Sequence, residues 1–432
     1  MKRKNARMLA GVLTAALAVN SFGLVKPGTE AVQAAARSAI DTKEFSSPSK
    51  TYQPGVRWWW SGGAVEKAEL IRELEYMADQ NIGYVEINPF GKIDVSEEDK
   101  GNLSSVYTDH FYDLLDTAVT KAEELGITVD LNMGSGWNAN SQYVKLEDSM
   151  GNMALGRMTL TSDNMTGTLD VPAVEKSNFY YGAAQKGDWD NSNVKLQGVL
   201  VAELTGEEGE EYKEKTSFMT GITSAYNEFT TSDGTSTSKK YACQKEIDLD
   251  NSVYIDAKDL KDGKVDLSSA GIQVNAGREY EVISLYFVPS GAKGIDSATD
   301  WYVVDHLDKD KAAQYINDWL GDEAIEKILA SHDNIRAVFN DSYEFYSDVY
   351  YTDGLYDLAQ DSENNGIGYD FTKYLPTVYK EYSAAPFYMG LGTSDTFLTY
   401  TMDAGEKSRI TYDYNTLIGE KFAEGMEGFQ MA

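Results

Sequence analysis

Two carboxylic acids, Asp341 and Glu344, stand in the densest polar cluster of the chain, directly after the apolar run Ile335–Asn340. A pair of carboxyl groups can hydrolyse a glycosidic bond, because one protonates the leaving oxygen while the other activates water or attacks the sugar. Nearby aromatic side chains can raise the pKa of the acid by excluding water. Such a pair alone is most often structural or solvated, but its position after a strand favours a site. We therefore predict Glu344 and Asp341 as the catalytic residues.

Three other strand ends carry side chains suited to binding a sugar. Consecutive strand residues point to opposite faces, so one tryptophan of the WWW run should pack in the core while another forms a platform for a sugar ring. A carboxylate in an apolar strand, such as Glu86, is either paired structurally or part of a site. Glycines around Ser135 allow the chain to turn and bring Trp137 over a pocket. The predicted substrate-binding residues are Trp59, Trp60, Glu86, Asn88, Asn132 and Trp137.

Other catalytic chemistries fit the sequence poorly. The serine of GSGW lies between adjacent glycines and lacks the spacing of a nucleophile elbow. His110, His306 and His332 are scattered, and we expect each to be structural or exposed. The single cysteine, Cys243, cannot form an internal disulfide or a cysteine-ligated zinc site, and we expect it to be a buried, inert thiol. No EF-hand spacing occurs, so the metal ligands are unknown at this level.

The elements that position these residues follow a βα rhythm. Short apolar runs alternate with amphipathic stretches, which is typical of a parallel sheet covered by helices. The rhythm is interrupted by a Thr-, Ser- and Gly-rich region of short alternating runs that indicates β-structure. The predicted strands are Val56–Trp60, Ile82–Asn88, Ile127–Met133 and Ile335–Asn340, and the predicted helices are Glu66–Gln80, Tyr107–Leu125, Asp308–Leu329, a short one in Tyr369–Tyr382, and Tyr412–Phe429.

We therefore predict an α/β chain that forms part of a (β/α)8 TIM-like barrel, interrupted by a β-rich insertion. Four strand–helix units are half of such a barrel and would leave its closing edges exposed, so we expect the barrel to be truncated. The alternative is a complete open sheet. The predicted regions are a signal peptide over 1–36, the first part of the barrel over 37–151, the insertion over 152–290, and the continuation of the barrel over 291–432.

The N-terminus predicts export. A basic start is followed by a short apolar run over Met8–Val19 and small residues over Ala31–Ala36, the pattern of a bacterial Sec-type signal peptide. No later run approaches the 18 apolar residues of a spanning helix, so we expect no membrane anchor in this chain and a secreted or cell-surface protein. With 38 basic and 69 acidic residues the formal net charge is −31, which repels nucleic-acid phosphates and argues against nucleic-acid binding.

A series of motifs recurs in order along residues 55–432: RWWWSGG, IGYVEINPFG, LNMGSGWNANS, WYVVDHLDKDKAAQYINDWLG, IRAVFNDSYE, YDFTKYLP and YDYNTLIGEKFAEGM. Together they resemble the N-terminal portion of the catalytic region of glycoside hydrolase family 106, the α-L-rhamnosidases. The resemblance implies a (β/α)-barrel with β-rich additions, inverting hydrolysis of terminal α-L-rhamnosides, and a calcium ion (Ca2+) near the sugar. It matches Glu344 to the general acid and places Trp59, Trp60, Asn132 and Trp137 around the sugar. The general base is then expected beyond residue 432.

The sequence thus favours a secreted glycosidase that acts on a rhamnose-containing oligosaccharide, polysaccharide or glycoside, with the truncated chain itself expected to be inactive if the base is missing. The first alternative is a non-catalytic carbohydrate-binding protein whose aromatic residues stack on sugars. The second is a structural protein of the cell surface. Hydrolysis of a rhamnoside would favour the enzyme, and glycan binding without product would favour the binding protein. A folded protein that binds no glycan would favour the structural role.

Overall fold

A computed structural model describes residues 42–49, 52–91, 95–97, 99–174, 194–208, 245–340, 342–343, 349–378 and 400–430, and short strand segments between them. Two compact units are distinguished, residues 1–51 and 52–432. The described part of the first unit contains one short helix, α1 (Thr42–Ser46). The signal peptide predicted over residues 1–36 lies outside the described residues. All the strands and the remaining helices belong to the second unit.

The elements of the second unit are numbered in chain order. Its principal helices are α2 (Lys67–Asp79), α3 (Lys100–Leu103), α4 (Asp109–Leu125), α5 (Lys309–Leu320), α6 (Glu323–Ser331), α7 (Leu355–Gln360) and α8 (Ala404–Gln430). Its strands are β1 (Gly55–Ser61), β2 (Tyr84–Phe90), β3 (Thr128–Asn132), β4 (Gly151–Thr161), β5 (Thr168–Asp170), β6 (Lys195–Glu208), β7 (Tyr212–Glu214), β8 (Phe229–Thr230), β9 (Ser236–Thr237), β10 (Lys239–Cys243), β11 (Lys245–Asp256), β12 (Lys264–Asp266), β13 (Glu279–Pro289), β14 (Ile335–Phe339) and β15 (Thr396–Phe397).

A four-stranded parallel sheet carries the predicted strand ends. Its strand order is β1-β2-β3-β14, with α2 and α4 crossing between the first three strands and α5 and α6 preceding the fourth. Parallel strands joined by helices confirm the predicted α/β class. Within the described residues the sheet is open, with β1 and β14 at its two edges. The partial TIM-like barrel stays a prediction.

One face of this sheet is covered by helices because its residues alternate in polarity. Val85 and Ile87 of β2 point into the same core as Leu115 and Val119 of α4, and all four are buried. The apolar residues of α4 recur every three or four positions, which places them on one helix face. Each such side chain removed from water stabilises the fold by roughly 1.5–3 kcal/mol, so this packing holds the strands in place beneath the candidate site.

The helix predicted over Asp308–Leu329 is in fact two helices. The chain breaks between α5 and α6, where the Asp322 carboxylate accepts hydrogen bonds from the backbone N–H of Ala324 at 3.0 Å and from the Tyr143 hydroxyl at 2.6 Å. Aspartate favours a helix N-cap over a helix interior, because its side chain satisfies N–H groups that the first turn leaves unpaired. The single-helix prediction was wrong because apolar periodicity continues across this cap.

A four-stranded antiparallel sheet follows in the β-rich region, with strand order β11-β6-β13-β4. On one face, residues such as Ile283 and Leu285 of β13 pack against Leu355, Phe371 and Tyr414. On the other face the sheet packs with the strand pair β5 and β12. The sheet therefore has a hydrophobic core on each side, and β13 leads directly into the segment that returns to the parallel sheet.

The face of the parallel sheet opposite the helices carries a row of charges. Arg57, Glu86 and Asp130 lie opposite one another on β1, β2 and β3. The Nε of Arg57 lies 3.3 Å from an oxygen of Glu86, and the guanidinium of Arg336 forms two hydrogen bonds with the carboxylate of buried Asp130. Arg336 also stacks over the ring of Tyr84. Each carboxylate thus has a cationic partner, and the row supports the layer of residues above it.

His332 joins α4 to the turn that precedes β14, and its charge should make stability depend on pH. Partial burial disfavours the charged ring, but hydrogen bonds at 3.1 Å to Glu123 and Asp116 outweigh it and raise its pKa. Because the pKa is raised in the folded state, the charged ring contributes its full stabilisation below the unfolded pKa of about 6.5. This stabilisation is lost as pH rises through the folded pKa. We expect wild type to exceed His332→Gln in unfolding free energy by up to about 1 kcal/mol at pH 6, and by less at pH 8. Parallel pH profiles in urea unfolding would contradict this.

Of the described residues, none lies in a helix long and apolar enough to cross a membrane.

Candidate active site

The three consecutive tryptophans divide between the two faces of β1. Trp58 and Trp60 are buried among the helices, and their rings meet edge to face at 5.3 Å. Trp59 points to the opposite face, with 49% of its surface exposed. The sequence placed both Trp59 and Trp60 around the sugar, whereas the structure puts Trp60, 1% exposed, in the core. Strand alternation is the reason, because residues one position apart cannot share a face.

Trp59 belongs to a cluster of three rings that we call the aromatic platform: Trp59, Phe90 and Trp137. Trp59 stacks on Phe90 with ring centroids 5.1 Å apart and planes 9° from parallel. Trp137 meets both rings nearly edge-on, at 5.4 Å from Trp59 and 5.0 Å from Phe90. These are favourable aromatic geometries, and they hold a half-exposed indole at the carboxyl end of the sheet. Phe90 was not among the residues predicted from the sequence, although it lies in the IGYVEINPFG motif.

Asn88 and Asn132 lie beneath the loop that follows β3 and bind its backbone. Asn132 donates to the side-chain oxygen of Asn88 at 3.1 Å and to the carbonyl of Gly136 at 3.0 Å. Asn88 donates to the same carbonyl at 3.1 Å and accepts from the backbone N–H of Gly136 at 3.2 Å. Both side chains are buried. The two asparagine side chains therefore shape this loop through hydrogen bonds to its backbone. Glu86, two residues before Asn88 on β2, is paired with Arg57.

The loop after β3 is clamped from above by residues 294–298, which we call the return segment because they lead the chain back from the antiparallel sheet. The backbone of Trp137 donates to the carbonyl of Ile295 at 3.1 Å, and the backbone of Ala298 donates to the Ser135 hydroxyl at 2.8 Å. Gly136 has a φ of +79°, and a Cβ there would lie 2.1 Å from the Ile295 carbonyl. A side chain at position 136 is therefore excluded by both conformation and space.

Asp296, at the centre of the return segment, contacts the platform directly. Its carboxylate accepts a hydrogen bond from the indole N–H of Trp137 at 2.9 Å. Its carbonyl accepts from the backbone N–H of Gly91 at 2.7 Å, so it is tied to the residue after Phe90 as well. Asp296 was not among the residues predicted from the sequence. The Gly-rich stretch SGAKGIDSA is the one signal of a turn there, and nothing in it indicates a contact 159 positions away.

A buried histidine anchors the end of β14. His306 lies next to Asn340, with its Nε2 2.8 Å from the Asn340 amide nitrogen, while its Nδ1 lies 2.7 Å from the Val304 carbonyl. The Asn340 side-chain oxygen accepts from the backbone N–H of Ala139 at 3.0 Å. Burial lowers the pKa of His306 to about 4, although its bond to Val304 favours the charged ring. At neutral pH the ring is uncharged, so it donates from Nδ1 and accepts from Asn340 at Nε2. The histidine is structural, as expected, and links β14 to the loop after β3.

The predicted catalytic residues, Asp341 and Glu344, lie outside the described residues. Ser342, between them, is described, and its backbone N–H donates to the carbonyl of Trp137 at 2.9 Å. Tyr343 is half-exposed and packs edge-on against Phe422 of α8. The segment that carries the two carboxylic acids is therefore hydrogen-bonded to the residue that supplies one ring of the aromatic platform.

The described residues contain no carboxylate-rich cluster that would identify a site for the calcium ion implied by the resemblance. No group of three or more His, Cys, Asp or Glu side chains there could hold a metal ion. The carboxylates that lie together, Glu86 and Asp130, are each paired with an arginine. We therefore derive no step through a metal, and calcium stays a prediction.

A family model and a solved structure match this chain. A family model for alpha-L-rhamnosidase matches residues 46–386. No curated protein matches the chain. Among solved structures, a rhamnosidase from Novosphingobium sp. PP1Y superimposes with a TM-score of 0.54 at 15% identity, over 90% of this chain and 45% of that one. At that identity the superposition shows a shared fold, and this chain spans less than half of that protein. The family model confirms the resemblance in the sequence, and the chain belongs to glycoside hydrolase family 106, the alpha-L-rhamnosidase family.

Proposed function

We propose that this chain supplies the sugar platform and the general acid of a secreted, inverting α-L-rhamnosidase. The family match supports a glycoside hydrolase, and the solved rhamnosidase shares its fold. A terminal rhamnose of an oligosaccharide, polysaccharide or glycoside is the substrate in this proposal. Rhamnose is a 6-deoxy sugar, so its methyl group and C–H face match an apolar ring surface better than a fully hydroxylated sugar would.

The hydrogen bond between Ser342 and Trp137 is the observation that carries this proposal. It ties the backbone two residues before Glu344 to the backbone of a platform residue at 2.9 Å. A sugar stacked on the exposed ring of Trp59 would then lie close to the segment that carries the proposed acid. Binding and proton donation need this proximity, because a general acid acts only within hydrogen-bonding reach of the leaving oxygen.

In the proposed reaction Glu344 gives its proton to the glycosidic oxygen as the bond to the sugar breaks. A general base on the other face of the ring removes a proton from the attacking water. Inverting enzymes hold the two carboxyl groups roughly 6.5–9.5 Å apart to leave room for that water. We propose that the base is a residue beyond position 432, as the resemblance implies.

The stereochemistry of the product tests this function. The full-length protein, incubated with an aryl α-L-rhamnoside in an NMR tube, should release β-L-rhamnose before mutarotation produces the α anomer. Release of α-L-rhamnose first would show retention and overturn the inverting mechanism. Rhamnose binding without release, measured by calorimetry beside the NMR assay, would instead support the non-catalytic carbohydrate-binding alternative. Signal-dependent export can be tested separately by following the protein into the culture medium with and without residues 1–36.

Trp59→Ala should weaken substrate binding while leaving the fold intact. An aromatic contact contributes about 0.5–1.5 kcal/mol beyond its buried area, and 1.4 kcal/mol is tenfold in affinity. We therefore expect KM for an aryl rhamnoside to rise about 3- to 10-fold. Trp59→Phe is the matched control, because it keeps a ring stacked on Phe90 and should retain most of the affinity. An unchanged KM in Trp59→Ala would remove this residue from the site.

A further inference from the structure

The return segment brings a charged residue to the aromatic platform, and this residue has no counterpart among the predicted site residues. Asp296 accepts the indole N–H of Trp137 at 2.9 Å. Hydrogen bonds to a charged acceptor are stronger than neutral ones and fix the orientation of the donor. The indole of Trp137 can therefore rotate little while this bond is present, and its edge stays against Trp59 and Phe90.

The backbone around Asp296 is held in a conformation that favours this contact. Its φ is +51°, a left-handed conformation that few residues other than glycine, asparagine and aspartate adopt readily. Three hydrogen bonds hold this turn: the backbone N–H of Trp137 donates to the Ile295 carbonyl, that of Gly91 donates to the Asp296 carbonyl, and that of Ile295 donates to the side-chain oxygen of Asn138. The turn thus fits both the loop after β2 and the loop after β3, and it aims the carboxylate at the indole.

We propose that Asp296 is a positioning residue that sets the orientation of Trp137, so that the segment returning from the β-rich insertion determines how the platform receives a sugar. This inference rests on the proposed function in one respect, since the sugar is the ligand of the platform. In this proposal the residue acts through its contact with the indole of Trp137. Its loss should therefore raise KM and leave kcat nearly unchanged.

Two substitutions separate the hydrogen bond from the backbone conformation. Asp296→Asn keeps an acceptor oxygen, although an uncharged one, and tolerates the positive φ, so it should retain most of the wild-type affinity. Asp296→Gly removes the acceptor and relieves the backbone, so it should fold at least as stably as Asp296→Asn. We expect Asp296→Gly to raise KM for an aryl α-L-rhamnoside about 3- to 10-fold, the range for a lost hydrogen bond, with kcat within about 2-fold.

A double-mutant cycle with Trp137→Phe tests whether Asp296 acts through Trp137. If it does, Asp296→Gly should have no further effect on KM in the Trp137→Phe protein, because there is no indole N–H left to orient. The near-ultraviolet circular dichroism of the tryptophans should differ from wild type in Asp296→Gly and match wild type in Asp296→Asn. Adding Asp296→Gly to the Trp137→Phe protein should leave its spectrum unchanged. Additive effects on KM, or unchanged spectra in Asp296→Gly, would overturn the inference.

The spectra also separate this inference from the proposed function. If wild type neither binds nor hydrolyses rhamnosides, the proposed function fails, and the inference is decided by the dichroism alone. A spectral change that depends on Trp137 would still support the positioning of the indole by Asp296. If wild type is active but Asp296→Gly matches it in both KM and spectrum, the inference fails while the function stands.

Discussion

Glu344→Gln should lower kcat on an alkyl α-L-rhamnoside by roughly 10²–10⁴-fold, the contribution typical of a general acid. Glutamine matches glutamate in shape but has no acidic proton to donate, so the leaving group must depart unprotonated, as a charged alkoxide. The KM should change little, because the sugar still stacks on the platform. The measurement is steady-state kinetics of the full-length protein with substrates of increasing leaving-group pKa.

The leaving group provides the control for this prediction. A nitrophenolate departs readily without protonation, so Glu344→Gln should retain much more activity on an aryl substrate with an acidic phenol than on an alkyl one. Asp341→Asn is the matched variant, and any decrease in its kcat should be the same for aryl and alkyl leaving groups. If Asp341→Asn rather than Glu344→Gln shows the leaving-group dependence, the acid is Asp341. If neither does, the two-carboxylate assignment is wrong.

Removal of His306 should have the largest effect on stability. His306→Phe fills the space but leaves the Val304 carbonyl and the Asn340 amide without their partner, and each unpaired buried polar group costs about 1–3 kcal/mol. We therefore expect the unfolding free energy to fall by roughly 2–5 kcal/mol at pH 7. His306→Gln, which can donate and accept in the same place, should lose less. Chemical denaturation measures both.

The pH dependence of the same variants tests the neutral ring. Burial lowers the pKa of His306 to about 4, below its unfolded value of about 6.5. A lowered pKa stabilises the fold above pH 6.5, and this contribution is lost as pH falls toward 4. As pH falls over that range, the unfolding free energy of wild type should therefore decrease by about 3 kcal/mol more than that of His306→Gln. Burial raises the pKa of the neighbouring Asp305 to about 6, so the contribution of Asp305 to stability increases as pH falls. Both proteins contain Asp305, so its contribution cancels when their unfolding free energies are compared. Parallel profiles of the two proteins would contradict a buried neutral ring.

The sequence predicted the parallel units well because their signal is local. Apolar spacing predicted the bounds of β1, β2, β3 and β14, and of the helices α2 and α4, within about two residues, since each element reports its own buried face. The division of the tryptophans was also partly readable. Arg57 shares a face with Trp59, and Val56 shares one with Trp58 and Trp60, so the polarity of the neighbours indicates which indole is exposed.

The site was less predictable because its contacts join distant segments. The shared face of Asn88 and Asn132 follows from strand register, but nothing local reveals that a loop would use both amides. Asp296 lies 159 residues from the indole that it binds, and its own neighbourhood has no periodic pattern. The helix break at Asp322 was not predicted for a related reason, since Tyr143, which donates a hydrogen bond to this carboxylate, lies far away in the chain.

The return segment also limits how this architecture can be recombined. Because the chain leaves β13 and immediately closes over the loops of β2 and β3, an exchange of the antiparallel module between relatives would transplant or sever the segment that contacts the aromatic platform. A chimera joined directly after Pro289 would keep the native segment, whereas one joined at Asp305 would replace it with the donor's version. If the proposed function holds, an exchange at the second junction should alter glycan preference while every residue of the parallel strands is kept.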